Sequence, residues 1–582
     1  MVEVLNKIDS PNDLKKLSLT EMNKLAEEIR KLIIKKVNTT GGHMGPNLGF
    51  VEATIALHYV FESPKDKFVF DVSHQCYSHK ILTGRKEGFI EPEKYSKYTG
   101  YTAPEESEHD IFKVGHTSTA ASLATGLAKA RDLKNEKGNI IAITGDGSLS
   151  GGEAFEGLDN AADLDSNIIM VINDNEMSIA PNSGGLYKNL ALLRETKGTA
   201  ECNFFKALGY DYYYIEEGNN IEKLISAFQK VKDIDHPVVV HIHTLKGKGL
   251  PQAEINKEAF HWILPGMLDN KPVDIQDENY NTITTEYILN KAAKDPKIIA
   301  ISPATPGAYG FTPEFREKLG KQYKDVGIAE EHAVAFASAL AKAGAKPILA
   351  IMSSFIQRTY DQLSQDLALN NSPATLLIHW GAITSADATH LGCFDISMIS
   401  NIPNLVYLAP TCKEEYLAML DWSVEQATYP VAIRVPFGEY ITTGKIYKQD
   451  FSNLNKFKTV FEGYDVAIIG AGNFFNLGEK VYNRLKESGI NATLINPRFL
   501  TGIDTEMLEE LKQNHKVVIT LEDGILDGGF GEKITRFYGS SDMKVLNYGA
   551  NKVFTDRMSL DELYQKYRLK DYLIVEDILK LL

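Results

Sequence analysis

The stretch that decides the fold runs Ile140-Ile141-Ala142-Ile143-Thr144-Gly145-Asp146-Gly147-Ser148 and continues to Asn173-Asp174-Asn175-Glu176-Met177-Ser178. An apolar run, Ile140 to Thr144, leads into Gly145-Asp146-Gly147. A second, Asn167 to Ile172, leads into Asn175. Between them Gly152 to Ala162 places Ala154, Phe155, Leu158 and Ala161 at helical spacing. The order is strand, tight turn, helix, strand, with a polar cluster at the end of each strand. In an open parallel sheet, ligands bind outside those strand ends.

The chemistry of the two clusters narrows the ligand. Asp146 offers a hard carboxylate oxygen, Asn175 an amide oxygen, and Met177 a backbone carbonyl. Such oxygen donors suit magnesium, which also takes oxygens from substrate or cofactor phosphates. Gly145 and Gly147 let the backbone approach a diphosphate closely. A Gly-Asp-Gly tripeptide alone reads as a turn. With Asn175 standing 29 residues after Asp146 and an apolar run before each, the pattern resembles the thiamine-diphosphate signature, in which the Asp and the Asn hold magnesium against the diphosphate.

Bulk properties bound the rest. At ~150 residues per domain, 582 residues allow three or four domains. With 43% hydrophobic and 24% charged residues, the composition is that of a soluble globular protein. The formal net charge of −15, with no basic block, argues against a nucleic-acid surface. A small anionic substrate then needs local positive groups, because the overall field repels it. Cys76, Cys202, Cys393 and Cys412 lack metal or disulfide spacing, so a reducing cytoplasmic setting is expected. Met1 to Leu14 has no apolar signal-peptide core, and no apolar run approaches the ~18 residues that cross a membrane.

Working outward, the first ~265 residues alternate apolar runs with amphipathic helices, as a doubly wound sheet does. Val238 to Thr244 reads as its last long strand, ahead of Lys246-Gly247-Lys248-Gly249. Pro265-Gly266 and the polar run Asp274 to Asn281 read as a linker. A second α/β unit follows, with strands Lys346 to Met352, Thr375 to His379 and Leu405 to Leu408. Ile446 to Lys458 reads as a polar connector. A third unit has strands Val466 to Ile469, Ala492 to Asn496 and Lys516 to Thr520. Gly470-Ala471-Gly472 lacks the third glycine of a dinucleotide fingerprint and reads as a strand-to-helix turn. The fold class expected is α/β, with three doubly wound domains: residues 1–270, 280–445 and 458–582.

Three histidines stand beside small turn residues: His43 in Gly42-His43-Met44, His74 in Ser73-His74-Gln75, and His116 in Gly115-His116-Thr117. Their spacing excludes a short-range zinc motif. They are either structural hydrogen-bonders or proton carriers and phosphate donors near neutral pH. Glu330 opens a helix after Val326-Gly327-Ile328-Ala329, following an apolar strand-like approach. Alone it reads as a first-turn carboxylate favoured by the helix dipole. Phe355, in Phe355-Ile356-Gln357-Arg358, reads as core filler or as a stacking partner for a ring.

Taken together these segments, with His79 to Arg85, Thr389-His390, Phe394 to Ser397 and Gly528 to Gly531, resemble the transketolase superfamily, and within it the 1-deoxy-D-xylulose-5-phosphate synthase family. The resemblance covers almost the whole chain. It implies a transketolase-like α/β fold in three domains, a homodimer, and thiamine diphosphate with magnesium held between the first two domains. By the matched motifs, Asp146, Asn175 and the Met177 carbonyl hold the metal. Gly115, His116, Gly145, Gly147, Ser148, His74 and Lys246 lie on the diphosphate side. Ile179 buttresses the bent cofactor, Phe355 stacks on it, and Glu330 meets its aminopyrimidine ring, promoting the imino tautomer whose nitrogen deprotonates the thiazolium carbon. His43 and His390 handle protons on the substrate. The family reaction joins the two-carbon unit of pyruvate, after loss of carbon dioxide, to D-glyceraldehyde 3-phosphate.

The chain departs from the family at the acceptor end. Where the family has Asp-Arg-Ala-Gly, this sequence has His379-Trp380-Gly381-Ala382, and the loop up to Thr389-His390 is one residue shorter. Where it has Tyr-Pro-Arg-Gly, this one has Val435-Pro436-Phe437-Gly438, and Met352 replaces a tyrosine. In the family those two arginines and the tyrosine hold the acceptor phosphate. Each charge-assisted bond is worth roughly 1.5–3 kcal/mol, so losing two weakens a phosphorylated acceptor by about two to four powers of ten. Arg358 remains and could meet a carboxylate or phosphate. Three readings stay open. The first is a pyruvate-using synthase, with a phosphorylated or a plain aldehyde as acceptor. The second is another superfamily enzyme, such as a transketolase or a 2-oxo acid decarboxylating component, against which the Asn-Glu-Met-Ser-Ile and Phe-Ile-Gln-Arg runs speak. The third is a non-catalytic paralogue, against which Asp146, Asn175 and Glu330 speak.

Overall fold

The computed structural model describes residues 2–269, 278–445, 447 and 450–582, which fall into two compact units. The first unit comprises residues 1–275 with 327–329. Its sheet has five parallel strands: β1 (Lys67–Phe70), β2 (Ile140–Gly145), β3 (Ile168–Asp174), β4 (Asp211–Ile215) and β5 (Pro237–His243), in the order β1-β2-β3-β5-β4. β2 and β3 are apolar nearly throughout because helices cover both sheet faces, as purely parallel sheets require. Their register pairs Gly145 with Asn173, so the residues that follow, Asp146 and Asn175, emerge at adjacent strand ends.

The expected helix forms over Gly152–Ala162. Its buried face is Ala154, Gly157, Leu158 and Ala161; Phe155, expected on that face, is 40% exposed and packs edge-on against Phe204. At about 100° per residue, positions 154, 157, 158 and 161 fall within one arc and position 155 lies beyond its edge. A buried charge cluster fixes the loop that carries His116. His58 Nε2 lies 2.9 Å from His79 Nδ1, and His79 Nε2 lies 2.9 Å from Asp110 Oδ1. Arg85 donates to both Asp110 oxygens at 2.6 and 3.0 Å, and the Ala103 N–H donates to Asp110 at 2.8 Å.

The second unit comprises residues 276–326 and 330–582 and contains two sheets. The first has strands β6 (Ile298–Ser302), β7 (Tyr323–Asp325), β8 (Lys346–Met352), β9 (Thr375–His379), β10 (Val406–Leu408) and β11 (Val431–Arg434). All are parallel, in the order β10-β11-β9-β8-β6-β7. The second has β12 (Lys458–Phe461), β13 (Asp465–Gly470), β14 (Thr493–Asn496), β15 (His515–Ile525) and β16 (Lys544–Ala550), in the order β12-β14-β13-β15-β16. Only β12 runs antiparallel to its neighbour.

Three local expectations need correcting. The linker expected to reach Asn281 ends at Asn279, whose side chain caps the helix Tyr280–Ala292 by accepting from the N–H groups of Asn281 and Thr282; residues 274–277 lie outside the described residues. The connector expected over 446–458 is polar in composition, yet Phe451 and Phe457 are buried and anchor it; residues 446, 448 and 449 lie outside the described residues. The approach to Glu330 is not an apolar strand but the edge strand β7, Tyr-Lys-Asp, which pairs on one side only and so tolerates polar residues.

Burial pushes the Asp110 carboxyl up, yet the bonds from His79 and Arg85 outweigh it and hold it well below its ordinary 3.8. Its contribution to stability is therefore present above that value and lost as pH falls. Asp110→Ala leaves the buried Arg85 with only the longer contact to Glu106 at 3.4 Å among its carboxylate partners. It should cost about 3–5 kcal/mol at pH 7, read as faster hydrogen exchange of the β2 amides; a loss under about 1 kcal/mol would contradict the assignment.

Candidate functional site

In the first unit the two signature segments meet at the ends of β2 and β3. A Cβ on Gly147 would stand 3.0 Å from the Cα of Ser178, so the glycine is what lets the Asp146 turn and the Asn175–Ser178 loop touch. Asn182 Nδ2 donates to Asp146 Oδ2 at 2.8 Å, and the Tyr187 hydroxyl donates to the carbonyls of Asp146 and Gly147 at 3.2 and 3.1 Å. Met177 bridges Pro181, closing the loop on itself. Ser148 is tied by its carbonyl, which accepts from Ser118 Oγ at 2.9 Å, and Asp71 accepts from the N–H groups of Ser118 and Ala120. The His116 segment is thereby drawn to the Asp146 turn.

Electrostatics single out the same point. Asp146 is buried, and its carboxyl is pushed well above its ordinary value, first by burial and then by the charge of Asp174, with Lys246 opposing. Asp174 has its own partners, Arg194 at 2.5 Å and His241 at 2.9 Å, and His241 in turn meets the Tyr212 hydroxyl at 2.7 Å. Asn175 Oδ1 is buried with no hydrogen-bond partner. An orphaned buried acceptor costs about 1–3 kcal/mol. A carboxylate in excess of cations, beside an orphaned amide oxygen, is a donor set that a divalent cation would satisfy, with further oxygens from a diphosphate. Asp146 and Asn175 therefore fit magnesium, and Met177 lies two residues further along the same loop.

Lys246 is 2% exposed and lies beside this set. Its Nζ donates to the Ser178 carbonyl at 2.5 Å and sits 3.1 Å from His261 Nδ1, and burial lowers its pKa to about 8. His43 and His74 meet at 4.9 Å between ring centroids, and both face His261 at 5.4 Å. His261 was invisible as a site residue, because Phe260-His261-Trp262 carries no motif. The antiparallel pairing of His43 with Trp262 is what brings it in. Desolvation first, then the charges of Lys246, His43 and His74, hold its imidazole well below the ordinary value, so it stays neutral. Ile179 follows Ser178 on the same loop and is partly buried.

In the second unit, Glu330 is the first residue of the helix Glu330–Lys342 and is 3% exposed. Burial raises its pKa to about 7, opposed by the charge of Arg358, whose Nη1 stands 3.6 Å from Oε2. Met352 ends β8, paired in register with His379 at the end of β9. Phe355 lies just beyond Met352, and its ring meets that of His390 edge-on at 5.9 Å. Desolvation lowers the His390 imidazole to about 4, so it too is neutral at pH 7. Trp380, after β9, and Phe437, after β11, come together with ring centroids 5.4 Å apart. The acceptor-end residues singled out in the sequence thus converge at the carboxyl ends of β8, β9 and β11, where a parallel sheet places ligands.

Comparison with known proteins completes the description. The family description "1-deoxy-D-xylulose-5-phosphate synthase" matches residues 5–203 and 193–244, "Transketolase, pyrimidine binding domain" residues 278–441, and "Transketolase, C-terminal domain" residues 455–572. A 1-deoxy-D-xylulose-5-phosphate synthase of Halothermothrix orenii is 37% identical, over 100% of this chain and 98% of its own length. One of Clostridium tetani is 36% identical, over 100% of both, and one of Dictyoglomus turgidum is 37% identical, over 100% and 99%. Among the described residues no helix is long and apolar enough to cross a membrane.

The raised pKa of Glu330 has a signed consequence. The folded protein favours its protonated form, so this contribution to stability is fully present below the ordinary 4.5 and is lost as pH rises through about 7. Glu330→Gln keeps the shape and cannot ionise. Without cofactor, the variant should therefore gain stability relative to the parent between pH 5 and pH 8, by roughly 2–4 kcal/mol at the upper end. Melting curves with the same difference at both pH values would contradict the assignment.

Proposed function

This chain belongs to the 1-deoxy-D-xylulose-5-phosphate synthase family, and from that premise we propose that it cleaves the C1–C2 bond of pyruvate and joins the remaining two-carbon unit to an aldehyde. It is an enzyme, a transferase of transketolase type in a family that uses thiamine diphosphate. Pyruvate, an aldehyde and one proton give an α-hydroxy ketone and carbon dioxide. The electron pair of the broken bond ends in the new carbon–carbon bond, and the proton ends on the former aldehyde oxygen. When bound, the cofactor supplies the electron sink that lets carbon dioxide leave.

The observation that carries this reading is the buried, cation-seeking pair Asp146 and Asn175 at adjacent strand ends. In it, Asp146, Asn175 and the Met177 carbonyl hold magnesium. Gly115, His116, Gly145, Gly147, Ser148, His74 and Lys246 receive the diphosphate, and Ile179 and Phe355 hold the ring system. Glu330, poised by burial to about 7, holds a proton at the aminopyrimidine nitrogen near neutral pH. His390, held neutral by desolvation, can accept a substrate proton, and His43 offers a second imidazole for the same task. The reading takes residues 1–270, 280–445 and 458–582 as domains, and the protein as a cytoplasmic homodimer acting on small molecules without nucleic acid or membrane.

For the acceptor, the Trp380–Phe437 pair favours an aldehyde without a phosphate. Trp380 is 46% exposed and presents apolar surface next to Phe437. The negative faces of aromatic rings do not attract an anion. Arg434, the cation on the neighbouring strand end, is buried and bound bidentately by Asp395 at 2.7 and 3.0 Å. Arg358 lies toward Glu330.

Two outcomes are expected. Calorimetry should find thiamine diphosphate bound only with a divalent cation. Asp146→Ala should abolish binding, and equal affinity in excess chelator would overturn the metal assignment. Trp380→Arg with Phe437→Arg should shift the ratio of kcat/KM toward D-glyceraldehyde 3-phosphate over D-glyceraldehyde by about two powers of ten. An unmodified enzyme already strongly favouring the phosphorylated aldehyde would defeat the acceptor reading.

A further inference from the structure

Trp380 sits in a conformation that needs support. Its φ is +61°, the left-handed region that bulky residues rarely adopt, and strain of that kind persists only where surroundings over-determine it. The support begins beside it. A Cβ on Gly392 would stand 2.0 Å from the Trp380 carbonyl oxygen, and one on Gly381 would stand 2.7 Å from both Arg434 Nε and Asp395 Oδ2. The Gly392 carbonyl accepts from the Ala382 N–H at 3.2 Å and from Ser353 Oγ at 2.7 Å. The loop that turns Trp380 outward is therefore pinned to Ser353, just past the end of β8, on one side and packed against the Arg434–Asp395 pair on the other.

The remaining hold comes from the second sheet. Asp523, buried near the end of β15, accepts from the Ile383 N–H at 2.8 Å through Oδ1 and from Asn473 Nδ2 at 3.0 Å through Oδ2. Asn473, in the turn after β13, accepts from the Phe437 N–H at 3.2 Å through its own Oδ1. Arg434 also donates to the Asp523 carbonyl at 2.7 Å. One carboxylate and one amide thus grip both strand-end loops, three residues beyond Trp380 on one and at Phe437 itself on the other. No step of the reaction uses either group.

We propose that Asn473 and Asp523 are positioning residues for acceptor selection, a clamp that holds Trp380 and Phe437 as the wall against which the uncharged tail of the aldehyde lies. The inference rests on the acceptor reading above and adds that selectivity is set from the C-terminal sheet, by residues that touch no substrate. With the clamp released, Phe437 and the Ile383 turn lose their fixed spacing, and the strained Trp380 relaxes away from its partner.

The test uses the full-length enzyme with thiamine diphosphate and magnesium, and reads kcat/KM for D-glyceraldehyde and D-glyceraldehyde 3-phosphate, and KM for pyruvate. Asn473→Asp sets two carboxylates against each other and removes the donor. It should reduce the preference for the plain aldehyde by about tenfold, through KM of the aldehyde, with KM of pyruvate unchanged. Adding Asp523→Asn reverses donor and acceptor while keeping all three bonds, and should restore the preference. Trp380→Ala separates the two levels. If it leaves the aldehyde ratio unchanged, the acceptor reading itself falls. If it moves the ratio while Asn473→Asp and Asn473→Ala do not, the clamp is overturned and the acceptor reading stands. If Asn473→Asp worsens KM for pyruvate as much as for the aldehyde, or the double variant fails to recover, the pair is merely structural and the proposal fails.

Discussion

Asp146 is a carboxylate buried beside a second carboxylate, Asp174, and the Arg194 guanidinium is already committed to Asp174. Arg194 and His241 serve Asp174, whose carboxyl is held well below its ordinary value although burial pushes the other way. Lys246 is the positive group that opposes this at Asp146, and its own burial lowers its pKa to about 8. A buried ion without full compensation costs several kcal/mol. The first sheet therefore ends in a place where an added divalent cation relieves charge repulsion and satisfies the orphaned Asn175 oxygen together. The surrounding features serve that arrangement. Gly147 lets the two loops touch, Asn182 steadies Asp146, and the Asp174–His241–Tyr212 chain anchors the strand end that carries Asn175.

The second unit applies the same geometry with the opposite economy of charge. Its six-stranded parallel sheet also delivers its distinctive residues at carboxyl strand ends, but Arg434 is neutralised by Asp395 and buried, while Glu330 is buried with Arg358 at 3.6 Å. The surface left at the ends of β9 and β11 is aromatic, fixed by strain at Trp380 and by polar contacts from the neighbouring sheet.

Much of this was legible in the sequence because parallel strands buried on both faces write themselves as apolar runs. Lys346–Met352 and Thr375–His379 were read to the residue, as was the helix Gly152–Ala162. Short motifs pointed to Asp146 and Asn175, which the structure places just past adjacent strand ends, and to Glu330, which it places buried at the start of a helix. What stayed hidden depends on contacts between distant segments. His261 enters the histidine group through a two-residue antiparallel pairing far too short to leave a pattern. His241 lies inside an apolar strand and reads as an interruption until its contacts with Asp174 and Tyr212 are seen. The Asn473–Asp523 clamp joins residues 50 apart to loops on another sheet, and nothing local announces it. β15 extends to Ile525, five residues past its expected end, because after a register shift between Leu521 and Ile525 the strand pairs again, Ile525 with Ala550.

The central claim is that the Asp146–Asn175 outlet holds a divalent cation for thiamine diphosphate. It is tested most directly by crystals grown with thiamine diphosphate and manganese in place of magnesium, since both ions favour oxygen donors. The account predicts one anomalous peak per chain, within coordination distance of an Asp146 carboxylate oxygen, Asn175 Oδ1 and the Met177 carbonyl, with diphosphate oxygens completing the shell. Cofactor bound with no metal there, or manganese held by other residues, would contradict it.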